Sequence, residues 1–476
     1  MSIEEVSPDK GQIDNTHYIQ SLQYDLNALL AIDLTPKQID SSEVGESREH
    51  RPGEVIIITK KRLDASSNLT ENTLLNPSAG VVFPGAMLKQ DHTLAEGVPT
   101  PYAFPRRPLT IRVDLPGLED KGVITIQSPT NVNVEVAIQK ITDYWFDNVK
   151  NKQGYMPTIR AFSEAHKAYT KEQIGIECGL GAQWGKSQAT AGLEVESTDE
   201  ETIVYRVFKQ IYYTVYVEEP ELAGAMFAKG VKLDANNMPA TEPPGFVRSV
   251  DYGRIIIVQM TTKGRVTEQE AEATLEYKSL GTQVDANLQE HYEKIARNST
   301  FKALVLGGGD TSAEVMAGDI GKMTEAITKG IEFSKDSPAY PISYTVADLK
   351  TRATSVMQTT ARYIETLREV LSDRSIALRH KGLFVANFGV KWQAYDEKQK
   401  GYVWKSWNSG NQTDGYENAI TFPGDARNFE VEGRYARFIK TWSSKFKRYP
   451  VLNENKVITL KGTTWDCKME DRRMDG

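Results

Sequence analysis

The residues that could carry out chemistry are few and lie far apart in the sequence. None of the six histidines is four residues from another, the spacing that places two metal ligands on one helix face. They are His17, His50, His92, His166, His291 and His380. No Gly-x-Ser-x-Gly segment is present to hold a serine nucleophile. The sequence therefore predicts no catalytic site, and we expect neither an enzyme nor a bound cofactor or metal.

Two glycine-rich segments resemble phosphate-binding loops but lack the residues that such loops need. Residues 306–312 are rich in glycine, yet no Gly-Lys-Ser or Gly-Lys-Thr follows them. Residues 185–187 are Gly-Lys-Ser, but the position five residues before Gly185 is Leu180 instead of glycine. Cys178 and Cys467 are too far apart in sequence to indicate a disulfide framework or a zinc site.

The composition is that of a globular protein with several domains. Of the 476 residues, 39% are hydrophobic and 25% are charged, so each domain can bury a core. A net charge of −7 argues against nucleic acid as a partner, because phosphate binding needs clustered Lys and Arg. The longest apolar runs are as short as 55–58 and 255–258, well under the roughly 20 residues of a membrane-spanning helix. Residues 1–5 have no signal-peptide pattern, so the chain is either not exported or has already lost its signal.

The clearest pattern in the sequence is strict alternation between residues 174 and 195. The apolar positions are Ile174, Ile176, Cys178, Leu180, Ala182 and Trp184, and after a polar turn at 185–188 they are Ala189, Ala191, Leu193 and Val195. A strand of about 9–11 residues with one apolar and one polar face can cross a bilayer. The alternation thus predicts a membrane hairpin near 174–207, with a soluble hairpin half-buried on a core as the alternative.

A second segment, 254–280, has the periods of both a strand and a helix. Ile256, Val258 and Met260 lead into a predicted turn at 263–265, after which Ala271, Ala273, Leu275 and Tyr277 alternate with polar residues. Residues 268–277 are nevertheless strong helix formers, with an apolar helical stripe expected at Ala273, Tyr277 and Leu280. We predict a segment that is a helix in water and a strand in lipid; the alternative is an amphipathic helix with accidental alternation.

The last hundred residues are predicted to form a separate β-sandwich. Residues 384–392 alternate between turn signals at 381–382 and 396–397. Five of the seven tryptophans lie in this region, where they could serve either a core or a membrane interface. They are Trp392, Trp404, Trp407, Trp442 and Trp465.

Several sequence blocks, taken in order, resemble the cholesterol-dependent cytolysins. Residues 208–215, Phe-Lys-Gln-Ile-Tyr-Tyr-Thr-Val, look like the strand that follows the first membrane hairpin of that family. The other blocks are 82–86, 113–118, 249–254, 303–308 and 341–345. Because the blocks are colinear from about residue 17 to residue 470, the chain is identified as a member of this fold family.

The resemblance implies an elongated four-domain α+β fold with a bent antiparallel sheet flanked by two helical clusters, and a C-terminal β-sandwich. The implied boundaries are 18–33, 70–159, 210–253 and 331–354 for a scaffold, 34–69 and 355–371 for a β connector, 160–209 and 254–330 for the pore-forming sheet, and 372–472 for the sandwich. It also implies a secreted pore-forming toxin, hemolytic and a virulence factor, which oligomerises on a membrane and inserts two hairpins per subunit. The alternative is a non-lytic relative that binds lipid or glycan through the sandwich.

Individual residues also match family positions. Gly307 and Gly308 match a paired-glycine bend that lets a short strand leave the sheet edge. Phe162 and Phe301 match an aromatic pair between subunits, with packing in the subunit's own core as the alternative for Phe301. Glu164 matches the acidic member of an intersubunit ion pair, but its partner position here is Asp319. Since like charges repel, we expect either another ion pair or a second homologous subunit.

The membrane-recognition region departs from the family. The stretch 434–445 lacks the single Cys and most of the Trp residues of the family's loop, although Trp442 is present. The cholesterol-recognising Thr-Leu pair aligns with Thr464 and Trp465, so the Thr is kept and the Leu is not. The sequence therefore does not predict cholesterol dependence, and it indicates Thr464, Trp465 and Trp442 as contacts to the lipid membrane.

Overall fold

The computed structural model describes residues 9–35, 44–74, 80–150, 160–181, 184, 192–193, 197, 201–263, 266–280, 282–306, 314–317, 333–335, 338–438 and 441–474. The described chain is mostly β with some helices, so the predicted α+β class is confirmed. It divides into two compact units, residues 1–43 with 61–366 and residues 44–60 with 367–476. None of the described helices has the length and apolarity that crossing a membrane requires. The four predicted domain boundaries stay a prediction.

The described α-helices are short, and all seven lie in the first unit. They are α1 Lys10–Ser21, α2 Leu26–Leu29, α3 His92–Ala95, α4 Asn131–Trp145, α5 Lys171–Glu177, α6 Glu268–Leu280 and α7 Ala286–Arg297. The strands are β1 Ala31–Asp33, β2 Gly45–Arg51, β3 Glu54–Leu69, β4 Asn72–Thr73, β5 Met87–Lys89, β6 Leu109–Val113, β7 Val123–Ile126, β8 Arg160–Lys167, β9 Glu201–Val217, β10 Pro244–Lys263, β11 Ser299–Leu306, β12 Glu314–Ala317, β13 Tyr340–Asp348, β14 Met357–Ser372, β15 Arg374–Gly382, β16 Ala386–Asp396, β17 Gly401–Gln412, β18 Glu417–Phe422, β19 Arg427–Phe438, β20 Thr441–Val451, β21 Lys456–Gly462 and β22 Cys467–Arg473.

The long strand β10 is the centre of the first unit's large antiparallel sheet. Over residues 255–262 it pairs with β9 on one side and β11 on the other, and nearer its start it pairs with β13. The β9 register shifts between Tyr252 and Gly253. Gly253 is needed here because a Cβ would collide with the carbonyl oxygen of Gln210. The register shift is a local irregularity of the kind that bends a strand.

The two faces of this sheet bury different helical layers, because successive strand residues point to opposite sides. Ile255 and Ile257 lie in one core cluster with Ile174, Leu180, Trp184 and Tyr205. Ile256, Val258 and Met260 lie in the other, with Ala271 and Leu275 of α6 and Ile295 of α7. The prediction of a bent sheet flanked by two helical clusters is thus confirmed.

The second unit contains the predicted C-terminal β-sandwich. One sheet has the order β18-β15-β21-β22 and the other β17-β16-β19-β20. Their facing residues, such as Leu378, Phe388, Phe422 and Val431, form one core. Trp392 and Trp407 pack against this core, whereas Trp404, Trp442 and Trp465 are exposed.

Two strands carry the chain between the units. β3 and β14 each begin in one unit and end in the other. Within the first unit β14 pairs with β1, and within the second β3 pairs with β2.

Candidate membrane segments and membrane-recognition tip

The start of the first alternating segment is a helix in this structure, where the alternation predicted a strand. Helix α5 begins after Thr170, whose hydroxyl accepts a hydrogen bond from the Gln173 amide at 3.1 Å. Ile174 and Ile176 of this helix are both buried, in different core clusters. The physical reason is burial: in water the apolar residues of an isolated amphipathic hairpin have no lipid to contact, whereas the helix packs them against the protein.

The rest of the first segment packs under the sheet where the structure describes it. Leu180, Trp184 and Leu193 are buried in one cluster with the β9 residue Tyr205. The Trp184 and Tyr205 rings meet edge to face with centroids 5.6 Å apart. Val195 lies outside the described residues.

Aromatic and polar contacts hold α5 against strand β14. The rings of Tyr169 and Tyr363 stack with centroids 5.5 Å apart, and the Tyr363 hydroxyl donates to Glu177 at 3.2 Å. Ile176 packs in one cluster with Ala65 and Tyr363. Releasing the first segment therefore requires these contacts to break.

Helix α6 confirms the prediction that residues 268–280 are helical in water, but a different face is buried. The fully buried residues are Ala271, Thr274, Leu275 and Ser279. The predicted stripe at Ala273, Tyr277 and Leu280 was wrong for the first two, which are half-buried, and the Leu280 side chain lies outside the described residues. Ala271 and Leu275 lie on the helix face that packs against Met260 and Phe301 of the sheet.

Polar contacts secure α6 to β9 and α7. Arg206 on β9 lies 3.3 Å from Glu276, and Lys278 lies 2.5 Å from Glu293 on α7. The Glu270 carboxylate accepts a hydrogen bond from the Thr267 hydroxyl at 2.9 Å, and it lies 3.0 Å from the His291 ring on α7. These contacts hold the two helices together in the docked form.

Helix α7 was not identified from the sequence. It begins after Asp285, whose carboxylate accepts hydrogen bonds from the amides of Asn287 and Leu288, both at 3.0 Å. Only Ile295 among its residues is buried, and Leu288 is 42% exposed. The signals that could have found this helix are the capping residue Asp285 and the helical spacing of Leu288, Tyr292 and Ile295. The alternation of Val284, Ala286 and Leu288 with polar residues is instead typical of a strand.

Ile256, Val258 and Met260 lie inside the sheet in this structure. They belong to the part of β10 that is paired on both sides and covered by α6. The segment that leaves the sheet is 264–298, between the end of β10 and the start of β11.

The registers of two strand pairs have a direct consequence for the segments between them. Lys167 pairs with Val204, so continuing this register inward would place 176 opposite 195, 178 opposite 193 and 184 opposite 187. The apolar positions of both arms then share one face, and the turn falls on Gly185-Lys186, within the turn predicted from sequence.

The second strand pair gives the same result. Thr262 pairs with Ser299, so continuing inward would place 273 opposite 288, 275 opposite 286 and 277 opposite 284. Ala273, Leu275 and Tyr277 would then share a face with Leu288, Ala286 and Val284, and the turn would fall on Leu280-Gly281. This moves the predicted turn away from residues 263–265.

The edges of the sheet carry the predicted subunit contacts. Strand β12 pairs with the outer side of β11, from Lys302–Ala317 to Val305–Glu314. Phe301 is buried beside Met260 on the α6 side. Phe162 and Glu164 lie on β8, opposite Lys209 and Val207. Gly307, Gly308 and Asp319 lie outside the described residues, so the hinge stays a prediction.

The tip of the sandwich brings together loops that are distant in sequence. Trp465, between β21 and β22, is 69% exposed, Thr464 beside it is half-buried, and Trp442 at the start of β20 is 38% exposed. The Leu383 amide donates to the Gly462 carbonyl at 3.2 Å, and the Ala436 amide donates to the Val385 carbonyl at 2.9 Å.

Sequence reasoning missed Leu383, the most exposed of these apolar residues. It is 82% exposed, and it follows Gly382, where a Cβ would collide with the Phe384 ring. The Phe384 amide donates to the Gly382 carbonyl at 2.9 Å, which closes a tight turn. This turn directs Phe384 into the core and Leu383 into solvent. The turn signal at 381–382 followed by an apolar residue could have indicated it.

The cysteine next to the tip is buried. Burial raises the pKa of the Cys467 thiol to about 11. Within the described chain no three His, Cys, Asp or Glu residues group to hold a metal ion.

Comparisons with known proteins cover nearly the whole chain. The family model "thiol-activated cytolysin" matches residues 12–371, and "thiol-activated cytolysin beta sandwich domain" matches residues 375–468. Ivanolysin of Listeria ivanovii is 31% identical over 470 residues, covering 95% of this chain and 86% of its own. The structure of pneumolysin superposes with a TM-score of 0.85 at 26% identity, covering 98% of this chain and all of that one. Suilysin from Streptococcus suis superposes with a TM-score of 0.83 at 26% identity, covering 97% and 100%.

Proposed function

This chain belongs to the thiol-activated cytolysin family, whose members are pore-forming toxins, and we propose that it perforates membranes by extending residues 168–200 and 264–298 into two β-hairpins. The observation that carries the proposal is the strand register. Continued from β8–β9 and from β10–β11, it brings the apolar positions of both arms onto one face in each segment. Burial in a soluble core does not require the apolar positions of both arms to share one face, whereas a hairpin in lipid does.

We propose that the second hairpin contains α6 and α7, and that Ile256, Val258 and Met260 stay in the sheet. The lipid-facing residues are then Ile174, Ile176, Leu180, Trp184, Leu193, Val195, Ala273, Leu275, Tyr277, Val284, Ala286 and Leu288. Each arm supplies the roughly 9–11 residues that a tilted transmembrane strand needs. The ion pairs Arg206–Glu276 and Lys278–Glu293 break on extension, which keeps the helices docked until a membrane is reached.

Oligomerisation is needed before insertion, because unpaired strand edges in hydrocarbon cost several kcal/mol per group. Strand β12 occupies the edge of β11 and has to leave for a neighbouring subunit's β8 to pair there. Gly307 and Gly308 are the proposed hinge, and Phe162, Glu164 and Phe301 are proposed subunit contacts. The neighbour is a second copy of this chain or a homologous subunit that balances the like charges of Glu164 and Asp319.

Members of the family bind membranes and oligomerise, and we propose that the sandwich tip makes the membrane contact here. Leu383, Trp442, Thr464 and Trp465 supply it, and cholesterol is not required because the Thr-Leu pair is incomplete. Intermedilysin, a relative of known structure, was solved with human CD59, so a protein receptor is a second candidate for the tip. We also propose secretion. A non-lytic binding role is not favoured, because the relatives are cytolysins.

Locking β12 to the sheet edge tests the pore mechanism. Lys302 and Ala317 are register partners, so Lys302→Cys with Ala317→Cys can form a disulfide across that edge. We expect the oxidised protein to bind liposomes but release no trapped dye, and reductant to restore release. Liposomes with and without cholesterol should leak alike.

A matched disulfide serves as the control. Thr110 and Thr125 are exposed register partners on β6 and β7, away from that edge, with hydroxyls 2.9 Å apart. Thr110→Cys with Thr125→Cys should leave dye release unchanged in either redox state. Equal leakage from the oxidised edge-locked protein would rule out the mechanism.

A further inference from the structure

Three lysines lie side by side at the tip end of one sandwich sheet. Lys381 on β15 is the register partner of Lys461 on β21, and Lys461 is the register partner of Lys468 on β22. Like charges on directly opposite strand positions destabilise a sheet. This arrangement therefore costs folding stability in the free protein, in a chain whose overall charge is −7.

Nearby acidic groups neutralise this row only in part. Lys461 lies 2.7 Å from Glu470, and Lys468 lies 3.9 Å from Asp466. Among the described residues Lys381 forms no ion pair, and Asp414 nearby accepts a hydrogen bond from the Gly382 amide at 3.1 Å. Lys381 is therefore the lysine of this row that is least neutralised, and it lies next to the turn that presents Leu383.

The apolar residues that adjoin this row are the two most exposed at the tip. Leu383 lies two residues after Lys381, and Trp465 lies in the loop between Lys461 and Lys468. Aliphatic and tryptophan side chains enter the boundary between headgroups and acyl chains, where lysines above them meet lipid phosphates. The apolar residues therefore lie at the end of the tip and the lysines lie behind them. A bilayer surface has the same order, with acyl chains below the charged headgroups.

We propose that Lys381, Lys461 and Lys468, together with Leu383 and Trp465, form a binding site for the anionic headgroups of a phospholipid bilayer. The inference rests on the proposed role of the tip in membrane contact and specifies its lipid class. Negative headgroups remove the repulsion within the lysine row, so binding rises with the anionic lipid content. Sterol is not part of this site.

Vesicle flotation tests the site in the full chain. Vesicles of phosphatidylcholine alone and vesicles that also contain phosphatidylserine are compared, each with and without cholesterol. A basic residue near an anionic surface contributes about fivefold in affinity, so K381Q with K461Q and K468Q should weaken binding to phosphatidylserine vesicles roughly a hundredfold. Rising salt should weaken binding of the unmodified protein in the same vesicles.

The control removes the same charge elsewhere on the sandwich. Lys398, Lys400 and Lys405 are exposed and lie on or before β17, away from the row. K398Q with K400Q and K405Q should bind as the unmodified protein does. Equal binding to both vesicle types, an equal loss in the control, or competition by inorganic phosphate beyond that of chloride at equal ionic strength would overturn the proposal.

Dye release separates this inference from the pore proposal. At protein concentrations that saturate binding, the tip lysine variant should release dye as fully as the unmodified protein does. Full dye release that does not depend on the phosphatidylserine content of the vesicles overturns the headgroup site but leaves the pore proposal standing. Phosphatidylserine-dependent flotation without release from any vesicle supports the site and overturns the pore proposal.

Discussion

The substitution Leu288→Arg should impair membrane insertion and leave folding of the soluble protein unchanged. Leu288 lies on α7 with 42% of its surface exposed, so an arginine there should change the free energy of unfolding by no more than about 0.5 kcal/mol. In the proposed hairpin Leu288 faces lipid opposite Ala273, near the middle of an arm that runs from 282 to 292. The substitution should therefore act on the inserted form and leave the docked form unchanged.

The size of the effect follows from the depth of the residue. An arginine on the lipid face at the bilayer midplane costs about 2–4 kcal/mol per subunit. At about 1.4 kcal/mol per factor of ten, one subunit alone loses roughly thirtyfold to several hundredfold in its insertion equilibrium. Because every subunit of an oligomeric ring carries the substitution, the losses in the insertion equilibrium multiply. We therefore expect dye release from liposomes to be abolished.

The neighbouring residue provides the control. Gln289 is exposed on the same helix, and in the proposed hairpin it faces the aqueous lumen opposite Glu272. Gln289→Arg adds the same charge and should release dye normally. Thermal unfolding and vesicle flotation should match the unmodified protein for both variants. Equal dye release from the two variants, or loss in Gln289→Arg alone, would refute the register argument.

Three further experiments test other parts of the molecule. Tyr363→Ala removes the stack on Tyr169 and the hydrogen bond to Glu177, so docking of α5 should weaken by about 3 kcal/mol and hydrogen exchange of residues 171–177 should accelerate; unchanged exchange contradicts this. Burial raises the pKa of Cys467 to about 11, so its reactive thiolate forms only as the pH approaches that value. Maleimide at neutral pH should therefore label the folded chain roughly a hundredfold more slowly than the unfolded chain. Equal labelling rates would count against burial of this thiol. Leu383→Ala should weaken vesicle binding by about 2 kcal/mol without changing stability, while Val451→Ala, exposed at the opposite end of β20, should not; equal effects would remove Leu383 from the tip.

The helix-and-strand character of residues 268–280 shows where local reasoning worked. Strong helix formers made the docked helix predictable, whereas the strand that the alternation predicts stays a prediction. Sequence spacing could not tell which helix face is buried, since that depends on Met260 and Phe301 from other strands. Helix α7 was not predicted, although Asp285 can cap it and Leu288, Tyr292 and Ile295 have helical spacing.

The sequence by itself determined the alternating segments, the sandwich, the lack of a catalytic constellation in the sequence and the incomplete cholesterol pair. These depend on residue type and on spacing along the chain, which the sequence states directly. Only the tertiary structure decided where β10 ends and β11 begins, which registers β8 has with β9 and β10 with β11, and that Leu383 and three lysines lie at one end of the sandwich. Those facts depend on which strands pair, and pairing between distant residues is set by the packing of the whole core.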